Sequence, residues 1–158
     1  MSETANASDH AGVIARPPSI VLATLLLGLA LEWLGPTHLP GGRLRAALGL
    51  ALVAGGVALM ASAMRQFRRA GTHVETWRPT EAIVTWGVYA RTRNPIYLAM
   101  LAIYAGLALL ADSIWMLGLL VPLALVLRFG VIAREERYLE AKFGEPYRAY
   151  RGRVRRWL

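Results

Sequence analysis

There is no cysteine anywhere in the chain, so disulfides, thiolate nucleophiles and cysteine-based metal sites are excluded. Histidine is nearly as scarce: His10, His38 and His73 are scattered, with no metal-ligand spacing among them. No glycine-rich phosphate loop follows a strand, and no serine or threonine has a histidine and acid partner that would make a hydrolase triad. Acids are also in short supply, 10 against 18 Lys and Arg, which leaves a net charge of +8. A surplus of that kind suits nucleic acid when it forms a stripe on a soluble fold. Here the basic residues flank apolar runs, the pattern that anchors a chain to anionic lipid headgroups. Membrane lipids are the expected partners, and neither nucleic acid nor a metal is.

What the chain does hold is apolar sequence: 56% of its 158 residues are hydrophobic, with a mean hydropathy of +0.40. That composition belongs to membrane proteins, and the length to one compact domain. Residues 1–16 are polar and weakly acidic, with no early basic cluster, so they read as a disordered cytoplasmic tail and not as a secretory signal. Residues 17–158 read as a single membrane domain. A spanning helix needs about 20 apolar residues. Four stretches approach that: Ser19 to Leu34, Leu44 to Met64, Pro95 to Ala111 and Ile114 to Ile132. The expected fold is all-α, a four-helix transmembrane bundle with a cytoplasmic helical extension at 133–143 and 146–154.

The basic loops set the orientation. Arg65, Arg68, Arg69, Arg78, Arg91 and Arg93 lie between the second and third spans and a further cluster follows the fourth, whereas the link between the third and fourth carries only Asp112. Both termini are expected in the cytoplasm, in a bacterial inner membrane. Ala51 and Gly55 make a small-xxx-small pattern suited to close helix packing. Glu32, acidic within an apolar span, is expected to pair with Arg43 or Arg45. The 66–93 loop, with His73, Trp77 and Trp86, serves as a lid, as a site wall or as an interfacial anchor; its aromatic residues suit all three uses.

Two polar blocks stand out because the short turn at Asp112 and Ser113 folds the third and fourth spans into a hairpin and brings their far ends together. The first block is Arg91-Thr92-Arg93-Asn94-Pro95-Ile96-Tyr97. In it, Asn94 can cap a helix that Pro95 begins, and the helix N-terminus offers amides to an anion. The second is Arg134-Glu135-Glu136-Arg137-Tyr138-Leu139. Beyond it, Gly144-Glu145-Pro146 stops the helix and starts another that carries Tyr147 and Tyr150. Glu135 and Glu136 are either a solvated pair answering the neighbouring arginines or acids held for a cationic ligand. Arg128 either snorkels or faces the hairpin interior, where it would hold a carboxylate or phosphate.

These blocks, with Gly87-Val88-Tyr89 and Phe143-Gly144-Glu145-Pro146-Tyr147-Arg148-Ala149-Tyr150, resemble a family of membrane-embedded methyltransferases. It includes isoprenylcysteine carboxyl methyltransferase and the phosphatidylethanolamine N-methyltransferases. The resemblance runs from about Gly71 to Leu158. It departs from the eukaryotic pattern Arg-His-Pro-x-Tyr-x-Gly at two positions, with Asn94 in place of His and Ala99 in place of Gly, and the Asn form resembles many bacterial members.

The resemblance implies that S-adenosylmethionine binds at the cytoplasmic end of the last two spans. Asn94, Pro95, Tyr97, Leu98, Glu135, Glu136, Tyr147 and Tyr150 are the implied cofactor-binding residues, with Arg128, Arg93 and Glu136 as catalytic candidates for handling the acceptor. The implied reaction is methyl transfer to a lipophilic acceptor, most like isoprenylcysteine carboxyl O-methylation. Phospholipid N-methylation is the alternative reading, and a non-enzymatic membrane scaffold a further one.

Overall fold

A computed structural model describes residues 11–72 and 79–158. The expectations for residues 1–10, including His10, and for His73, Trp77 and Arg78 lie outside the described residues. Among those described, the chain is helical throughout: α1 (Pro17–Leu34), α2 (Gly42–Arg69), a 3-10 turn (Gly87–Ala90), α3 (Pro95–Leu110), α4 (Ile114–Val126), α5 (Ala133–Phe143) and α6 (Glu145–Arg153). A wide π turn over Leu127–Ile132 joins α4 to α5 without a break.

Local chemistry sets these boundaries. Proline occupies the first turn of α1, α3 and α6, where its missing N–H costs nothing. Ser113 caps α4 by accepting from the Met116 amide at 3.2 Å. In the hairpin turn Asp112 adopts a left-handed backbone, φ 60°, which short polar side chains tolerate best after glycine. Gly144, φ +58°, ends α5 and lets the chain fold back into α6.

Three described helices are long and apolar enough to cross a membrane: α1, α2 and the continuous helix Ile114–Phe143. The fourth expected span, α3, has 16 residues. At ~1.5 Å each that is about 24 Å, short of a hydrocarbon core of about 30 Å. Leucines such as Leu22, Leu26, Leu48 and Leu125 are exposed on the outer faces of the helices, as an apolar solvent requires.

α2 lies along α3, α3 against α4, and α4 against α1. The core sits between α3, α4 and the π turn, where Tyr97, Tyr104, Leu123, Leu127, Val131 and Ile132 are buried and Trp157 packs onto them. The α2–α3 seam is closed by glycine. A Cβ on Gly106 would stand 2.6 Å from the Gly49 carbonyl oxygen, and one on Gly56 would stand 3.0 Å from that of Ala99. The Ala51 and Gly55 pattern does not make this contact. Both residues are exposed, and the space beside Gly55 is open, because the helix turns their face away from α3.

Two further expectations are corrected. Residues 11–16 are not a free tail in the fold: Val13 packs on the core, and the Gly12 carbonyl accepts from Arg134 Nη1 at 2.9 Å. Glu32 does not pair with Arg43 or Arg45 but accepts from the Thr37 amide at 2.5 Å and the Thr37 hydroxyl at 2.7 Å. Arg45 instead reaches Asp112 at 3.1 Å and donates to the Leu109 carbonyl, which ties the start of α2 to the hairpin turn.

Candidate active site

Where α3 begins and α5 leaves the bundle, the helices part around a cavity of about 250 Å³. Its greasy wall comes from Pro17 and Pro18 of α1, Met64 and Phe67 of α2, Ile83 and Val84 of the following loop, and Ile96 and Met100 of α3. Its polar wall comes from Arg93, Asn94 and Tyr97 beside Glu135, Glu136, Tyr147 and Tyr150. The π turn assembles this wall. Leu127 and Val131 keep the inward spacing of α4, and the extra residue in the turn gives the next inward places to Ile132 and Glu136.

The adjacent acids have different surroundings. Glu136 is buried and held by two arginines: Arg93 Nη2 reaches Oε1 at 3.0 Å, while Arg156 reaches both oxygens, Nε at 3.1 Å and Nη2 at 2.5 Å. Glu135 accepts a hydrogen bond from Tyr97 Oη at 2.8 Å, and among the described residues no cation pairs with it. An acid so placed against an apolar wall is a seat for a positively charged ligand group. Arg93 offers the complement. Both of its Nη atoms are engaged, one with Glu136 and one with the Arg151 carbonyl at 3.2 Å, but its Nε is buried with no hydrogen-bond partner.

Asn94 does not cap α3. Its side-chain Nδ2 donates to the Arg156 carbonyl at 3.0 Å, so the first amides of α3 have no side-chain cap. The tyrosines form the far wall. Burial raises the hydroxyl of Tyr147 above its ordinary range and that of Tyr150 to about 12, so both stay neutral. Tyr150 Oη donates to the Tyr89 carbonyl at 2.8 Å, and the rings of Tyr147 and Tyr150 meet edge-on with centroids 6.2 Å apart.

The family model for phospholipid methyltransferases matches residues 44–146, more than half of the chain, and takes in Arg93, Asn94, Tyr97, Glu135 and Glu136 of this wall. The chain belongs to the phospholipid methyltransferase family. A protein of Haemophilus influenzae described only as uncharacterised is 45% identical over 64 residues, which are 40% of this chain and the whole of that protein. No solved structure matches the chain. Family membership and three apolar helices of spanning length make this a membrane protein of the methyltransferase class.

In this phospholipid methyltransferase family member, the structure gathers Arg93, Asn94, Pro95, Tyr97, Glu135, Glu136, Tyr147 and Tyr150 around one cavity. Leu98 and Arg128 are not in its wall. Leu98 is half-buried, next along α3 from Tyr97. Arg128 does not face the hairpin interior. It is exposed, with its guanidinium 5.3 Å from the Phe129 ring centroid, because Leu127 on one side and Val131 and Ile132 on the other take the inward places of the π turn. Ala99, one of the two departures from the eukaryotic pattern, is fully buried against α2 and does not reach the cavity.

Sequence reasoning missed Arg156 as a partner of Glu136, together with the wall residues Phe67, Met64 and Pro17. Arg156 carried no distinguishing signal within a run of terminal arginines. Tyr89 belonged to a recognised motif, and Gly87 before it provides the hint of its role: with φ +64° and no Cβ, it lets the chain turn tightly over buried Gln66.

Proposed function

We propose that this chain transfers a methyl group from S-adenosylmethionine to a lipophilic acceptor at the cytoplasmic face of a bacterial inner membrane. On this reading α3 is the fourth span, both termini are cytoplasmic, and α5 and α6 form a cytoplasmic extension. The arginine-rich loops support that orientation, and modest bilayer thinning accommodates the short α3.

The observation that carries the reading is a pair of unmet groups in one wall, Glu135 without a cation among the described residues and Arg93 Nε, a buried donor without an acceptor. A zwitterionic amino-acid end fits them, its ammonium at Glu135 and its carboxylate at Arg93 and the uncapped start of α3. Tyr147 and Tyr150 would flank an adenine ring. The bound cofactor would supply an electrophilic methyl on a sulfonium. The protein holds the ends in register, keeps water out with its greasy wall, and admits an apolar chain beside Met64, Ile96 and Met100.

With Glu135 and Arg93 given to the cofactor and Glu136 held by two arginines, the described wall keeps no free base for the acceptor. That favours a carboxylate, already nucleophilic at neutral pH, as in isoprenylcysteine-like O-methylation. A phospholipid amine is the second reading and rests on the family match.

Calorimetric titration of purified protein with S-adenosylmethionine tests the site. Binding by the parent and at least tenfold weaker binding by Glu135→Gln are expected, from loss of a charge-assisted contact of about 1.5–3 kcal/mol. Equal binding by both proteins refutes the assignment. Label transfer from methyl-tritiated donor into membrane lipid then separates the acceptors, since mild base releases methanol from a methyl ester and leaves an N-methyl group in place.

A further inference from the structure

The family match ends at residue 146, yet three polar residues of the cavity wall are tied to sequence beyond it. After α6 the chain runs back across the start of α3. The Arg93 amide donates to the Arg155 carbonyl at 3.0 Å, and the Arg156 carbonyl accepts both Thr92 Oγ1 at 3.1 Å and Asn94 Nδ2 at 3.0 Å. Three consecutive residues before α3 thus bond the same two carbonyls. From the same segment the Arg156 side chain and Arg93 both hold Glu136, and Trp157 packs against the core cluster that includes Tyr97.

We propose that residues 155–157 form a strap that completes the cofactor site, with Arg156 as its positioning residue. The assignment rests on the proposed S-adenosylmethionine site. Arg156 does not line the cavity. It acts through Glu136, which has to be held in place for Arg93 to stay extended along the wall with its Nε free. The backbone bonds do the same for Asn94: with its side chain turned to the strap, the α3 amides stay open to a ligand carboxylate. With the strap undocked, Asn94 is released to cap its own helix, and Glu136 keeps one arginine instead of two. The strap therefore governs cofactor affinity and leaves the acceptor's greasy wall, built by α1, α2 and α3, unchanged.

The test uses the full chain in detergent micelles with four proteins: parent, Arg156→Gln, Arg156→Lys and Arg153→Ala. Arg153 belongs to the same basic run, but among the described residues its side chain bonds only the Ala149 carbonyl of its own helix, at 3.3 Å. S-adenosylmethionine affinity is measured by calorimetry, and backbone hydrogen exchange is mapped over 92–94 and the spans. Arg156→Gln should weaken binding about tenfold, the loss of one charge-assisted contact acting indirectly. It should also speed exchange at Arg93 while the spans keep their protection. Arg156→Lys should recover part of the affinity, and Arg153→Ala should bind within about twofold of the parent, as surface changes do.

Failure of the parent to bind defeats the cofactor reading itself. If the parent binds, the strap is overturned by Arg156→Gln binding within twofold of it, by no rescue with lysine, or by faster exchange throughout the spans, which would make Arg156 merely a folding contact.

Discussion

Adding one methyl group at Gly106 tests the seam on which the site depends. A Cβ there would lie 2.6 Å from the Gly49 carbonyl oxygen, 2.7 Å from Val53 Cγ2 and 2.9 Å from the Val53 amide nitrogen. Two of these three atoms are backbone, so no rotamer change relieves the overlap, and α2 and α3 must move apart by roughly 1 Å to restore ordinary contact. Overpacking of this kind costs about 1–3 kcal/mol. Helix propensity returns at most about 1 kcal/mol for Gly→Ala. With two of the three overlaps against backbone the cost falls in the upper half of that range, about 2–3 kcal/mol, so the net expectation for Gly106→Ala is a loss of about 1–2 kcal/mol. At Gly55 nothing lies within 4 Å of the added carbon, so Gly55→Ala keeps only the propensity gain. The two variants should shift in opposite directions in reversible mixed-micelle unfolding followed by circular dichroism. Gly106→Ala should also weaken donor binding, because Phe67 at the end of α2 and Ile96 on α3 share the cavity. A neutral Gly106→Ala, or an equally damaging Gly55→Ala, would refute the assigned seam and return the packing role to the Ala51 and Gly55 face.

Gly87→Ala is expected to cost about 1–3 kcal/mol: its φ of +64° is left-handed, and the new Cβ would stand 2.3 Å from the Gln66 side-chain nitrogen. Amide exchange around Tyr89 should rise first. Arg128→Ala should leave methyl transfer unchanged, where an interior Arg128 holding the acceptor would make transfer fall, and Arg93→Ala should abolish donor binding, as label transfer and calorimetry can show. At the hairpin turn, the Leu39 amide and then His38 hold the Asp112 carboxyl below its ordinary range. Its stabilising contribution is therefore full above about pH 3.9, the unfolded value, and is lost as pH falls through the lower folded one. Asp112→Asn should remove that acid-side dependence from the unfolding midpoint.

The sequence made the apolar spans plain because hydrophobic runs do not depend on partners. It also revealed the two polar blocks, since a three-residue hairpin link leaves their far ends nowhere else to go. Rotation was harder to read. Ala51 and Gly55 have the right spacing on the wrong face, and nothing local distinguishes their face from that of Gly49 and Gly56. Which way Arg128 faces was hidden for a similar reason. The π turn changes the inward register between Leu127 and Glu136, and no residue type announces a π turn. The strap was invisible because its bonds run from backbone carbonyls at Arg155 and Arg156, which any residue supplies, to partners some sixty positions earlier. Asn94 looked like a helix cap on local rules, and a distant carbonyl outcompeted its own helix.

Those carbonyls also give the protein a biosynthetic order. Every span, and the entire wall from Arg93 to Tyr150, is synthesised before Arg155 and Arg156 exist. Thr92, Arg93 and Asn94 must wait for partners that leave the ribosome last among the residues of the site. The helices therefore form with an unfinished cavity, and the final fitting waits for the last residues of the site. A nascent chain halted at α6 would sit in the membrane as a bundle that lacks the two carbonyls its polar wall is bonded to.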